Sequence, residues 1–475
     1  MKSLTCNKKI RALSRRELLE TMGAGFGGLA LSALHAEQDA VASSENHGES
    51  ETPLPLVSPR VKRVIMLFMF GGPSHIDSFD PKPRLTRDDG KPLPFDPPRV
   101  LSFPLRHGNM VRSPFQFQQH GQSGAWVSEL FPELARHVDK LCIINSVHCS
   151  NSRHGGAVLE WHTGSDTFIR PSMGSWLTYG LGTENQNLPG YLTICQSLSQ
   201  GGANNFGSAF LPAVFQGTPI GNNGIPTKEA KIPFIESRIS SRQQRVELDM
   251  LRRLTEHHLV QTGPDSDLES RIENFELAFR MQTAVPDIQE LSDETERTFQ
   301  LYGIDDPVTE DFGRQCLMAR RFSEKGVRFV QCNSNGWDHH SDLKNNMENM
   351  CQSIDRPISG LLQDLQQRGL LEETLVIWGG EFGRTPTAEN ANGRDHNPHG
   401  FTMWLAGGGV QPGLVYGKTD DYGYYAVEDK VHFHDLHATI LHMMGLDHEK
   451  LVYRYSGRDF RLTDVYGRVV HEILV

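Results

Sequence analysis

Three short apolar runs, each giving way to small and polar residues and then to acids and imidazoles, set the narrowest limits on what this chain can fold into. Val64–Phe70 leads into Gly71-Gly72-Pro73-Ser74-His75-Ile76-Asp77, Val327–Cys332 leads into Gly336-Trp337-Asp338-His339-His340, and Leu375–Trp378 leads into Gly379-Gly380-Glu381. Uninterrupted apolar runs of this length suit strands covered on both faces, as in a parallel sheet. In open α/β sheets the ligand crevice lies beyond the carboxyl ends of such strands, where adjacent loops diverge. Acids and histidines delivered to three strand ends are most simply explained by a metal-dependent hydrolase. The third loop is the richest, carrying Arg384, Arg394, Asp395, His396 and His399 before the next apolar run, Phe401–Leu405.

The chain has 475 residues, enough to bury the core of one large α/β domain or of two smaller ones. A net charge of -11 argues against a nucleic-acid binder, which presents a basic face to phosphates. Small-molecule or polymer substrates are expected instead. At the N-terminus, Ser14-Arg15-Arg16-Glu17-Leu18-Leu19 resembles a twin-arginine export signal. The Gly/Ala/Leu stretch behind it, Met22 to Leu34, is too short and too glycine-rich to span a bilayer. The expected organisation is a signal peptide over 1–42, a Ser/Glu/Pro-rich linker over 43–60, and a domain over 61–475 with a helical and loop insertion at about 196–325. Such a protein is periplasmic or secreted and has no transmembrane segment after processing. The seven cysteines show no C-x-x-C pair or zinc-ribbon spacing, and most read as buried thiols.

Two clusters carry candidate chemistry. The strand Leu141–Val147 runs into His148-Cys149-Ser150-Asn151-Ser152-Arg153-His154, ahead of a helix over 155–164. A nucleophile at a helix start has amide N–H groups and the positive dipole end available to stabilise an oxyanion. Ser150, Ser152 and Cys149 are the candidates; the alternative is that Ser150 or Ser152 is an ordinary helix cap. In extended backbone Asp338 and His340 point the same way, with His339 pointing elsewhere, so the pair could bind one ion. Carboxylate with imidazole suits zinc, manganese or iron, whereas calcium prefers oxygens. Amphipathic helices are expected over 240–260, 266–282, 313–325 and 354–367, with a C-terminal helix over 434–444.

The segments RVIMLFMFGGPSHIDSFDPKP, RPSMGSWLTYGLG, GVRFVQCNSNGWDHH, LVIWGGEFGRTP, GRDHNPHGFTMWLAGGGV and HDLHATILHMMGLD, in this order, resemble the exported bacterial family catalogued as "domain of unknown function 1501". That family is grouped with the alkaline-phosphatase-like superfamily, which includes sulfatases and phosphodiesterases. The resemblance implies an alkaline-phosphatase-like fold, a mixed and mainly parallel sheet sandwiched between helices. It also implies one or two divalent ions at the strand ends, zinc, manganese or calcium. In that pattern Asp77 resembles the first metal-binding aspartate, Asp338 and His340 an aspartate/histidine pair, and His396 or His399 a later histidine. Glu381 stands where the superfamily carries Asp-His-Gly, so one imidazole is missing. Ser150 resembles a phosphodiesterase nucleophile, and Cys149 the sulfatase cysteine that becomes formylglycine. The expected reaction is hydrolysis of a sulfate or phosphate ester of a small molecule or polysaccharide. Arg153 or Arg384 would neutralise developing charge and His154 would protonate the leaving oxygen. The alternative is a secreted binding or assembly protein with a degenerate site. The resemblance also suggests an exported cytochrome-c-like partner.

Overall fold

The computed structural model describes residues 60–97, 108–390 and 392–475. The expected signal peptide, and the linker up to residue 59, lie outside the described residues. Among the described residues no helix is long and apolar enough to cross a membrane.

A nine-stranded sheet organises the chain. Its strands, numbered here in chain order, are β1 (Arg63–Phe70), β2 (Leu141–His148), β3 (Tyr191–Ile194), β4 (Thr218–Ile220), β5 (Phe329–Asn335), β6 (Thr374–Gly379), β7 (Phe401–Gly407), β8 (Leu414–Tyr416) and β9 (Val431–His432). Across the sheet the order is β8, β2, β7, β6, β1, β5, β3, β4, with β9 also on β2. All pairings are parallel except the two made by β7. The sheet is therefore mixed and mainly parallel, as expected. Each apolar run of the sequence is a strand, and parallel direction brings the C-terminal ends of β1, β2, β5 and β6 to one edge. Register keeps them level: Phe70 of β1 is opposite Asn335 of β5, and Phe68 is opposite Gly379 of β6.

The two-residue period of β1 explains why its apolar run has no polar face. Ile65, Leu67 and Met69 enter one hydrophobic core, and Val64, Met66 and Phe68 the other. Helices Glu310–Glu324 and Leu343–Gln367 contribute to the first core. Helices His154–Thr163, Met173–Leu181 and Phe433–Met443 contribute to the second. Between β4 and β5 the chain forms two long helices, Ser241–Thr262 and Ser266–Gln289. The first begins with a capping box from Ser240 and Gln243, and only Thr255 on it is buried.

One departure from the sequence reading bears on the site. The stretch after β6, expected as a polar loop, is an antiparallel hairpin of Gly383–Glu389 with Gly393–Asn397. His396 pairs with Arg384 across it. Both strands are largely buried, so their polar side chains are held against the ends of β1 and β5 rather than in solvent.

Candidate metal centre

The glycine pair after β1 sets the spacing of the site. Gly71 and Gly72 have φ of +120° and +80°, and a Cβ on Gly71 would lie 2.5 Å from the backbone nitrogen of Asp338. Only glycine allows the loops after β1 and β5 to approach this closely. The Gly71 N–H donates to both carboxylate oxygens of Glu381, at 3.0 and 3.1 Å. The three strand ends picked out in the sequence thus touch through Gly71, Asp338 and Glu381.

Around Asp338 stand three imidazoles. His340 Nε2 lies 2.8 Å from Asp338 Oδ1, His396 Nε2 3.2 Å from the same oxygen, and His154 Nε2 3.1 Å from Oδ2. The Nε2 atoms of His340 and His396 are 3.0 Å apart. Each ring turns its other nitrogen outward to an acceptor: His154 Nδ1 to Glu381 Oε1 at 2.6 Å, His396 Nδ1 to the Ser152 carbonyl at 2.8 Å, and His340 Nδ1 to Glu389. A carbonyl or carboxylate can only accept, so each Nδ1 bears a proton and each neutral ring presents its Nε2 lone pair inward. Three inward lone pairs and a carboxylate form the donor set of a zinc-like cation, and the outward acceptors are the partners that orient metal-binding histidines. Bonds of ~2.0–2.1 Å in a tetrahedral site put donor atoms ~3.3 Å apart; the four separations just given are near that, and all the donor atoms lie within 4.8 Å of one another.

The electrostatics carry the same signature. Burial alone would raise the Asp338 pKa, but hydrogen bonds from His154, His340 and His396 and the charge of Arg384 hold it far below the carboxylate range. Burial alone would lower His154, yet Asp338 and Glu381 raise it to about 9. Hydrogen bonding to Asp338 also raises His340. Burial takes His396 down to about 4, so that ring is neutral. The proton that His154 holds at neutral pH thus occupies ground that a cation would claim.

Of the residues expected from the sequence as ligands, Asp338, His340 and His396 come together. Asp77 does not join them. It is fully buried in a two-pronged pair with Arg394, whose Nε and Nη2 lie 2.7 and 3.2 Å from its two oxygens. His399 also stands apart, its ring against Tyr424 and Tyr425. Glu381 reaches the centre through His154, and that imidazole fills the gap the sequence pattern left. His154, expected as an acid, is one of the converging donors. Arg384, expected to face substrate charge, is fully buried and donates to the carbonyls of Gly71, Gly72, Trp337 and Arg394 as well as to Asp338 Oδ1, the last at 2.6 Å. Its role is to hold the loops and the Asp338 carboxylate. Cys149 is buried, its thiol lies 3.3 Å from the Glu381 carbonyl, and burial pushes its pKa well above the usual range. Ser150 Oγ lies 3.1 Å from His432 Nε2, and Arg153 is exposed beside His154.

The donor set also narrows the ion. Three nitrogens and one oxygen suit zinc, manganese or iron, and depart from the oxygen shell that calcium takes. A second possible group, His340, Glu389 and Asp395, shares His340 with the first. It reads as the outer layer of one centre, because Glu389 accepts from the ring proton of His340. His154 was expected at the site as an acid rather than as a ligand, and Glu389 was not expected there. His154 lies far along the chain on the helix after β2, and Glu389 gains its place only from the hairpin.

The sequence model of the family described as "Protein of unknown function (DUF1501)" matches residues 61–474. No curated protein matches the chain. Similar solved structures include Ps i-CgsB in complex with k-i-k-neocarrahexaose, at 9% identity over 82% of this chain and 72% of that one, with a TM-score of 0.38. The lipoteichoic acid synthase LtaP from Listeria monocytogenes gives 11% identity, 85% and 74% coverage and a TM-score of 0.34. The alkaline phosphatase from the Antarctic bacterium TAB5 gives 10% identity, 82% and 99% coverage and a TM-score of 0.33.

Proposed function

The chain belongs to the DUF1501 family, and from that premise we propose that it is a metal-dependent hydrolase whose cation is held by His154, Asp338, His340 and His396. The observation that carries this reading is the inward turn of three Nε2 atoms onto one carboxylate while all three Nδ1 atoms are engaged outside. A zinc-like cation in such a site lowers the pKa of a bound water to about 7 and polarises an ester oxygen.

The chain's own groups do the positioning. Glu381 and Glu389 fix the His154 and His340 rings, and the Ser152 carbonyl fixes His396. Arg384 keeps Asp338 ionised and pinned. With Cys149 buried and Ser150 engaged by His432, the attacking oxygen in this reading comes from water. The proposed substrate class, a sulfate or phosphate ester, follows the sequence resemblance described above. Arg153 is the guanidinium proposed to meet the ester's anionic oxygens. Export from the cytoplasm is part of the proposal and rests on the twin-arginine-like run Ser14-Arg15-Arg16 of the sequence.

The test is metal analysis of the purified full chain, then turnover of aryl sulfate and bis-aryl phosphate esters by wild type and Asp338→Asn. The proposal expects bound metal and turnover in wild type and loss of both in the variant. The burial of Cys149 and the full commitment of Arg384 favour a second reading, a metal-binding protein without turnover. Bound metal with no hydrolysis across the ester panel would select it, and absence of metal removes both.

A further inference from the structure

The loop after β2 serves two places at once. Its residues Ser152 and His154 belong to the candidate metal centre, while His148 and Ser150 line a separate cavity of about 670 Å³. Deep in that cavity Glu160, 1% exposed, accepts the Ser150 N–H at 3.0 and 3.3 Å. His432 Nδ1 accepts the N–H of His434 at 3.2 Å, so the ring proton sits on Nε2 and is donated to Ser150 Oγ. That polarity rules out His432 as a base for Ser150 and leaves the pair as hydrogen-bonding furniture. Burial keeps His148, His432 and His434 neutral. Arg170 is the one Lys or Arg on the lining; it is 7% exposed, pairs with Asp464 at 3.0 Å, and its Nε has no hydrogen-bond partner among the described residues. Two aromatic rings, Phe168 and Tyr466, also line it and stand 65% and 61% exposed.

These features select an occupant by chemistry. Asp166, Asp435 and Asp464 face the cavity with one fixed cation among them, which disfavours an anion. A purely apolar ligand would leave buried donors and acceptors unpaired. A ligand with adjacent hydroxyls both donates to carboxylates and accepts from N–H groups, and brings no charge. Tyr466 stacks one face on His434 and Phe168 lies beside the Arg170 guanidinium, and the surface these rings leave exposed at the cavity is the flat apolar contact a sugar ring matches. We propose that this cavity is a saccharide subsite, holding the neutral sugar of an ester whose anionic group lies at the metal centre. The position of the ester rests on the hydrolase reading above; binding of the sugar does not.

The experiment is calorimetric titration of the full chain with neutral tetrasaccharides of glucose, galactose, mannose and xylose. At least one should bind, and Phe168→Ala and Tyr466→Ala should each weaken it about three- to tenfold, as loss of one aromatic contact does. Asp338→Asn, which abolishes hydrolysis under the earlier proposal, should bind the sugar as wild type does, so failure of the hydrolase reading and failure of the subsite are told apart. Both aromatic side chains are largely exposed, so circular dichroism of the two variants should match wild type. No binding by any of the four sugars, or equal binding by the Phe168→Ala/Tyr466→Ala double variant, overturns the proposal.

Discussion

Replacing Glu381 by glutamine changes the charge behind His154 and almost nothing else, which makes it a sharp probe of the centre. The side chain is fully buried, lies 2.6 Å from His154 Nδ1, and takes the Gly71 N–H on both oxygens. The amide keeps the volume, yet it has one acceptor where two were used and no charge. Loss of an outer partner of a ligating histidine lowers metal affinity ~10–100-fold, or ~1.4–2.8 kcal/mol. A second effect opposes the first. With its pKa at about 9, His154 holds a proton that the cation must displace, a penalty on binding of ~100-fold at pH 7. Removing Glu381 lowers that pKa and so relieves part of the competition at neutral pH. Above pH ~9 there is no proton to relieve, and the full loss appears. A chelator-buffered zinc titration should therefore show a small gap between wild type and Glu381→Gln at pH 7 and a gap of ~10–100-fold at pH 9.5. Equal affinities at pH 9.5, or a gap that narrows as pH rises, would refute the assignment of Glu381 and His154.

Two further outcomes follow from the same geometry and a third from the sequence. Gly71→Ala forces a Cβ to 2.5 Å from the Asp338 backbone at a φ of +120°, so urea unfolding should show a loss of at least ~1–3 kcal/mol, accompanied by weaker metal retention. Burial lifts the Glu160 pKa from 4.5 to about 7, so ionising it costs the folded state; stability from this group falls as pH rises from 4.5 through 7. Glu160→Gln should gain up to ~3 kcal/mol over wild type at pH 8 and nothing at pH 4.5, read by denaturant unfolding, and an equal difference at both pH values would contradict the burial argument. The Arg15→Lys/Arg16→Lys double variant should stay in the cytoplasm on cell fractionation while wild type leaves it; identical distribution would remove the export proposal.

The sequence exposed the frame of the site better than its membership. Buried parallel strands were legible in the unbroken apolar runs, because a strand covered on both faces needs no polar alternation, and their shared direction made convergence of Asp338, His340 and His396 a reasonable expectation. Asp77 and His399 sit in equally suggestive contexts, but their fates depend on partners distant in sequence. Arg394 claims both oxygens of Asp77, and two tyrosines enclose His399. Glu381 was legible as a site residue in the wrong layer, since nothing local announces that His154 stands between it and Asp338. The hairpin over 383–397 was hidden by its polar composition; its strands are buried by the loops they support, which composition cannot reveal.

X-ray absorption at the metal edge of the purified full chain tests the central claim most directly. The account predicts a light-atom shell at ~2.0–2.1 Å with the outer-ring scattering of three imidazoles, falling to two in His396→Ala. A shell of oxygens alone, or a spectrum that His396→Ala leaves unchanged, would contradict it.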